Sequence, residues 1–133
     1  MASPLDPVHV MVGLISDQAG RVLISRRGAA QHMAGAWEFP GGKKEPEEAR
    51  LTALRRELAE ELGIAVTAAE PLLELFHDYA DRRVRLDVWT VHAYTGEPHS
   101  REGQPLRWVA VDDLIDAGLL DADRPIVAAL LNR

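Results

Sequence analysis

Glu57, Glu60 and Glu61 stand at i, i+3 and i+4, a spacing that puts three carboxylates on one face of a helix and lets them converge on a common point. Like charges held so close repel one another unless a cation neutralises them. Carboxylate oxygens unaccompanied by His or Cys suit a hard ion such as Mg²⁺ or Mn²⁺. Taken alone, the same segment also fits a solvated acidic helix face, partly offset by Arg50, Arg55 and Arg56.

The helix that must carry these groups is legible. From Pro46 to Leu62 the chain is rich in Ala, Leu, Glu and Arg, with Pro46 in the first turn and Gly63 as the stop. At about 100° per residue, Leu51, Leu54, Leu58 and Leu62 fall in one stripe about 80° wide, which predicts packing on a sheet. Upstream, Val8 to Ser16 and Val22 to Ser25 read as a β-hairpin around the turn-like Asp17 to Gly20. Gly28 to Gly35 reads as a loop, and Ala36 to Phe39 as a short strand stopped by Pro40, Gly41 and Gly42. Downstream, Leu72 to Phe76 and Val84 to Tyr94 are expected to pair antiparallel across a turn at Asp78 to Arg83. Leu106 to Val109 offers another strand and Val111 to Asp116 a short helix. Arg124 to Asn132 is expected to form a terminal helix, with Asp123 at its start and Pro125 in its first turn.

At 133 residues, the chain is read as a single domain spanning 1–133. It is 47% hydrophobic and 27% charged, which argues against long disorder. A net charge of −6 argues against a sequence-independent grip on a nucleic-acid polymer, while leaving small anionic substrates open to local Arg side chains or a bound cation. The absence of cysteine removes disulfides, thiolate nucleophiles and Cys-based zinc sites. MASPLDPVHV lacks a basic region followed by an apolar core, and no stretch approaches the roughly 20 apolar residues of a spanning helix. A cytoplasmic protein without a membrane partner is the expectation, as a monomer or weak homodimer.

The string from Gly42 to Ile64 settles how the glutamates are read. Gly42, Glu48, Arg56, Glu57, Leu58, Glu60, Glu61, Gly63 and Ile64 fill every fixed position of the pattern Gx5Ex7REUxEExGU, where U is a bulky apolar residue. This resembles the Nudix hydrolases, and the resemblance implies an α/β fold: an α/β/α sandwich with a mixed β-sheet between helices, the string forming a loop, helix and loop. ISRRGAAQHMAGAWEFPGGK before the string and EGQPLRW after it resemble the MutT subgroup, the nucleotide-sanitising pyrophosphohydrolases. The resemblance covers nearly the full chain. It implies a small-molecule nucleotide substrate, hydrolysed to the monophosphate and pyrophosphate by water attacking a phosphorus made more electrophilic by Mg²⁺ or Mn²⁺.

Carried over position by position, the resemblance makes Glu57, Glu60, Glu61 and the backbone carbonyl of Gly41 metal ligands, with Glu48 supporting the metal site. Arg56 would orient the glutamates by ion pairing, since an arginine is a permanent donor and no base. Glu102, in the stretch resembling EGQ, would bind metal or activate water, against the plainer reading of a loop glutamate. Glu57 and Glu102 stand as rival general bases. Arg27 matches an arginine that contacts phosphate, a use suited to its forked donors. Arg82 and His32 are further substrate contacts, each weighed against an ordinary surface residue. Phe39 and Tyr79 are candidate walls for a nucleobase, against membership of the core.

Asp123 is the informative departure, because the matching position in the subgroup's oxidised-guanine enzymes resembles an asparagine. An amide both donates and accepts, whereas an ionised carboxylate only accepts. Asp123 therefore suits the exocyclic amine of cytosine or adenine, or an oxidised guanine if burial keeps it protonated. It also sits where a helix N-cap belongs. The leading expectation is hydrolysis of 8-oxo-dGTP, with nucleotide-pool sanitation and avoidance of mutation as its purpose. CTP or modified-cytidine hydrolysis is the alternative, and a non-catalytic nucleotide-sensing domain is the alternative of another class.

Overall fold

The computed structural model describes residues 6–133, so the N-terminal reading above rests in part on residues outside it. Its elements are strands β1 (Val8–Ile15), β2 (Val22–Arg26), β3 (Trp37–Glu38) and β4 (Gly41–Lys43), helix α1 (Arg50–Leu62), strands β5 (Ala65–Asp78), β6 (Arg83–Thr95) and β7 (Leu106–Val109), and helix α2 (Arg124–Leu131). Two 3₁₀ turns, Val111–Asp116 and Asp121–Asp123, lead into α2.

A four-stranded mixed sheet runs in the order β4-β1-β6-β5, with β1 parallel to β6 and the other pairs antiparallel. A three-stranded antiparallel sheet runs β3-β2-β7. Alternation along β1 and β2 divides the core between two faces. Met11, Ile15 and Leu23 pack with Leu54, Leu58 and Leu62 of α1. Val12, Leu14, Val22 and Ile24 pack with Ile126, Val127 and Leu130 of α2. Sheet layers thus lie between helices, the expected sandwich.

Four expectations need correction. The hairpin is only a turn: Asp17 takes the Ala19 and Arg21 amides, but β1 and β2 diverge into different sheets and share a single bridge, Ser16 to Val22. The Pro40 to Gly42 break is followed at once by pairing, since Gly41 and Gly42 open β4 against Val12 and Met11 of β1. The helix that carries the glutamates starts at Arg50, not Pro46, because residues 44–49 close a turn of their own: Glu48 N–H donates to Glu45 O at 3.1 Å and Glu45 N–H to the Glu48 carboxylate at 2.9 Å. Leu51 is consequently a first-turn residue left 37% exposed, and Ala53 joins Leu54, Leu58 and Leu62 as the fully buried stripe. Each buried leucine contributes about 2 kcal/mol.

Helix α1 ends at Gly63, as its sequence predicts, with the Gly63 N–H on Ala59 O. Beneath its first turn lies Asp87 on β6, wholly buried. The carboxylate accepts two bonds from the Arg50 guanidinium, both at 2.7 Å, one from Trp89 Nε1 at 2.8 Å, and pairs with His9 Nε2 at 2.9 Å. This cluster ties the start of α1, which has no side-chain cap, to β1 and β6.

Candidate active site

One cleft of about 640 Å³ opens between α1, β4 and the loops that follow β2, β5 and β6. Gly41, Glu57, Glu61 and Glu102 line it together with Arg27, His32, Phe39, Tyr79, Arg82 and Asp123. The fold therefore gathers most of the sequence-predicted residues in one place. Glu48, Arg56 and Glu60 are not part of its wall.

The glycines set the geometry of the acidic end. Gly41 has φ +154°, and a Cβ there would lie 1.9 Å from the Met11 carbonyl oxygen, so only glycine lets β4 approach β1 here. At Gly42 a Cβ would lie 2.1 Å from Glu57 Oε2: the Glu57 carboxylate occupies the space that a side chain would fill. Glu61, 8% exposed, accepts the Ser25 hydroxyl at 3.2 Å and the Gly41 amide at 3.3 Å.

Arg56 organises the outer carboxylates. Its guanidinium makes two 2.7 Å bonds to Glu48, one of 2.9 Å to Glu57, a longer one of 3.4 Å to Glu60, and one of 3.0 Å to Lys43 O. That set holds the Glu48 carboxyl down at about 2 and raises Arg56 above its ordinary range, so both stay charged. Glu60 is exposed and faces Arg56.

Electrostatics distinguish the inner pair. Burial, then the Glu38 charge, push the Glu61 carboxyl up to about 8, against the Gly41 amide and Ser25 hydroxyl that favour its anion; Glu102 adds to the upward push. Burial also raises Glu57, opposed by Arg56 and assisted by Glu60 and Glu102. Among the described residues no three of His, Asp or Glu already form a closed metal-binding group. The donor chemistry nonetheless fits a hard divalent cation: an all-oxygen set, partly buried, whose members disfavour one another's ionisation.

At the nucleobase end, Asp123 is 5% exposed and carries an unpartnered Oδ2. Its side chain caps nothing, which overturns the helix-cap reading: the following helix starts with no side-chain cap bond. Burial, then Glu38, push its carboxyl up to about 8, while the Phe39 amide and Arg27 pull the other way. Arg27 is engaged by Glu38 and by His32 O at 2.5 Å, so a phosphate must compete with Glu38 for it. Arg82 leaves a buried Nε without a partner. Tyr79 stacks edge-on with His32 and His77, at 5.0 and 4.7 Å between centroids.

Ser25, Glu38 and Gln104 line the cleft and were not among the sequence-derived candidates. The signal for the first two was available: a polar and a charged residue break the apolar runs Val22–Ile24 and Trp37–Phe39. Gln104 stood within the EGQ stretch, where only Glu102 has an evident chemical use.

Known proteins share this fold. Residues 11–129 match the NUDIX domain family. The 8-oxo-dGTP diphosphatase of Escherichia coli is 37% identical over 123 residues, 92% of this chain and 95% of that protein. The CTP pyrophosphohydrolase of the same organism is 36% identical over 121 residues, covering 91% and 90%. The crystal structure of the MutT NUDIX hydrolase from Burkholderia pseudomallei superposes with a TM-score of 0.83 at 34% identity, covering 92% of this chain and 97% of that one. With residues 11–129 matched and relatives of 36–37% identity covered over nine-tenths of their length, on an α/β/α sandwich, the chain belongs to the NUDIX domain family.

Proposed function

We propose that this protein is a Mg²⁺-dependent nucleoside triphosphate pyrophosphohydrolase that converts 8-oxo-dGTP to its monophosphate and pyrophosphate, removing an oxidised nucleotide before it causes mutation. The observation that carries the reading is a single cleft joining the half-buried Glu57 and the buried Glu61 to the buried Asp123. The relatives named for 8-oxo-dGTP support the choice of substrate.

Glu57, Glu61, the Gly41 carbonyl and Glu102 would hold the cation. Glu60, turned to Arg56, is the expected ligand that the geometry supports least. Bound there, Mg²⁺ supplies the positive charge that makes the phosphorus electrophilic and counters the departing pyrophosphate. Arg56 orients Glu57 and favours its anion while being braced by Glu48. Arg82 offers an unused donor to the phosphates, and Arg27 a second on release from Glu38. Glu57 and Glu102 face the same space, so either accepts the water proton in this reading.

Protonated Asp123 answers the objection raised by its replacing an asparagine, because a neutral carboxyl both donates and accepts. Phe39, 4% exposed, and Tyr79 would form the walls around the base. A cytidine substrate is the second reading, favoured by the CTP pyrophosphohydrolase relative.

The test is kcat/KM with Mg²⁺ across 8-oxo-dGTP, dGTP, CTP, 5-methyl-dCTP and dATP. A preference for 8-oxo-dGTP over dGTP and CTP is expected; a preference for the cytidines would replace the leading reading by the second. Tight nucleotide binding without pyrophosphate release would reveal a sensor instead. Glu57→Gln should fold and lose about a hundredfold or more in kcat.

A further inference from the structure

The segment between β6 and β7 crosses the C-terminal end of α1, where a helix leaves its last carbonyls without partners of its own. Here the segment supplies them. His99 N–H donates to Leu62 O at 3.0 Å, Arg101 N–H to Glu61 O at 3.2 Å, and the Arg101 guanidinium to Ala59 O at 3.1 Å. Gln104 completes the set, its Nε2 donating to Glu61 O at 3.1 Å. The other end of the same amide faces back into the segment: Gln104 Oε1 accepts the Ser100 hydroxyl at 2.8 Å and the Glu102 N–H at 3.1 Å.

This network fixes the orientation of the amide. Two donors meet its oxygen and one carbonyl meets its nitrogen, so the flipped arrangement would set donor against donor and acceptor against acceptor. One side chain therefore bridges the backbone of Glu61 and the backbone of Glu102. Both glutamates and Gln104 itself line the cleft. Between the bridged residues, Gly103 sits at φ +82° with nothing within 4 Å of where a Cβ would be, in open space at the turn that presents Glu102. The Gln104 amide is the side-chain contact that ties the Glu102 N–H to the end of α1.

We propose that Gln104 is a positioning residue for the hydrolysis: its side-chain amide sets where the Glu102 carboxylate stands relative to Glu61 across the cleft. The proposal rests on Glu102 taking part in the reaction, as read above. Displacing a reacting group by a fraction of an ångström is costly even when the fold survives. Supporting partners of this kind are typically worth about tenfold to a hundredfold.

A double-mutant cycle separates positioning from a general loss of structure. kcat and KM for 8-oxo-dGTP hydrolysis, the Mg²⁺ concentration giving half-maximal rate, and the thermal midpoint are measured for the parent, Gln104→Ala, Glu102→Gln and the double variant. Expected is a fall in kcat of about tenfold or more for Gln104→Ala, with KM little changed, and no further fall when it is added to Glu102→Gln. A Glu102→Gln enzyme as fast as the parent would sink the role of Glu102 and the proposal with it. A slow Glu102→Gln enzyme would sink the proposal alone if Gln104→Ala leaves kcat unchanged, or slows the Glu102→Gln background by its full factor. Should Gln104→Ala be too unstable to assay, Gln104→Glu takes its place. It keeps the oxygen for Ser100 and Glu102 and loses the donor to Glu61, and its effect must likewise vanish beside Glu102→Gln.

Discussion

Two adjacent glycines, Gly41 just before the Gly42–Ile64 string and Gly42 at its start, fail in different ways when given a side chain. A Cβ at Gly41 would meet the Met11 backbone oxygen at 1.9 Å, and φ +154° is itself unfavourable for an L residue, so Gly41→Ala must push β4 off β1. We expect a clear loss of stability, of about 2 kcal/mol or more, by chemical denaturation. The atoms nearest to a Cβ at Gly42 would be those at the end of the Glu57 side chain, which can swing away by turning its rotamer and giving up Arg56. Gly42→Ala should therefore keep a thermal midpoint close to the parent's while kcat falls by about a hundredfold, as for loss of Glu57. If both variants lose stability alike, the Glu57 carboxylate does not sit over Gly42. Asp123 supplies a second contrast. Its carboxyl, faced by Glu38, Arg27 and Tyr79, stays protonated up to about 8 against an ordinary value near 3.8. A folded value raised above the unfolded one means that stability declines as pH rises from about 4 to about 8. The donor needed by the oxidised base disappears over the upper end of that window. The ratio of kcat/KM for 8-oxo-dGTP between Asp123→Asn and the parent should then climb as pH passes 8, since the amide keeps its donor; a flat ratio would remove Asp123 from base recognition.

At the scale of the element, α1 is held at its two ends by groups outside its own sequence pattern. The start depends on Asp87, for which burial alone would raise the carboxyl but the Arg50, His9 and Trp89 contacts bring it down to about 2. A folded value below the unfolded one, about 3.9, stabilises the fold above pH 4 and is lost as pH falls from there toward 2. Asp87→Asn leaves the Arg50 charge without its partner, and should cost about 3 kcal/mol at neutral pH and flatten the acid limb of the stability curve, both read from urea titrations between pH 2.5 and 7. The extent to which these elements were legible follows from the range of the interactions involved. Helix α1 and its glutamates showed in the sequence because their geometry is local: three- and four-residue spacings act on one another directly. Leu106–Val109 and Val111–Asp116 were found within their observed bounds for the same reason. Strand β4 was hidden because pairing with β1 overrides the poor strand preference of two glycines. The β1–β2 hairpin was misassigned because the turn is genuine while the sheets that claim each strand are set by residues tens of positions away. Asp87, Glu38 and Gln104 escaped notice because their roles lie in partners distant along the chain.

The whole molecule carries a net charge of −6, and its cleft gathers the carboxyls of Glu38, Glu57, Glu61, Glu102 and Asp123. Such an arrangement makes the fold self-opposing without a cation: Glu61 is pushed up to about 8 chiefly by burial, with Glu38 and Glu102 adding. A divalent ion that binds only the folded state shifts the unfolding equilibrium by mass action, by about 2.7 kcal/mol at a hundredfold excess over its Kd. For a domain of this size that corresponds to a rise of several degrees in thermal midpoint. The packed core, by contrast, is apolar and lies on the two sheet faces against α1 and α2, so chelation should lower the midpoint without unfolding the protein at 25 °C. We therefore expect Mg²⁺ titrated into EDTA-treated protein to raise the midpoint in a saturable way. The rise should shrink in Glu57→Gln and Glu61→Gln, whose oxygens line the cleft, and persist in Glu60→Gln, whose carboxylate faces Arg56. Scanning calorimetry across these variants assigns the ligands independently of turnover. A midpoint indifferent to Mg²⁺ in the parent, or an effect abolished by Glu60→Gln alone, would require a different set of ligands from the one this cleft presents.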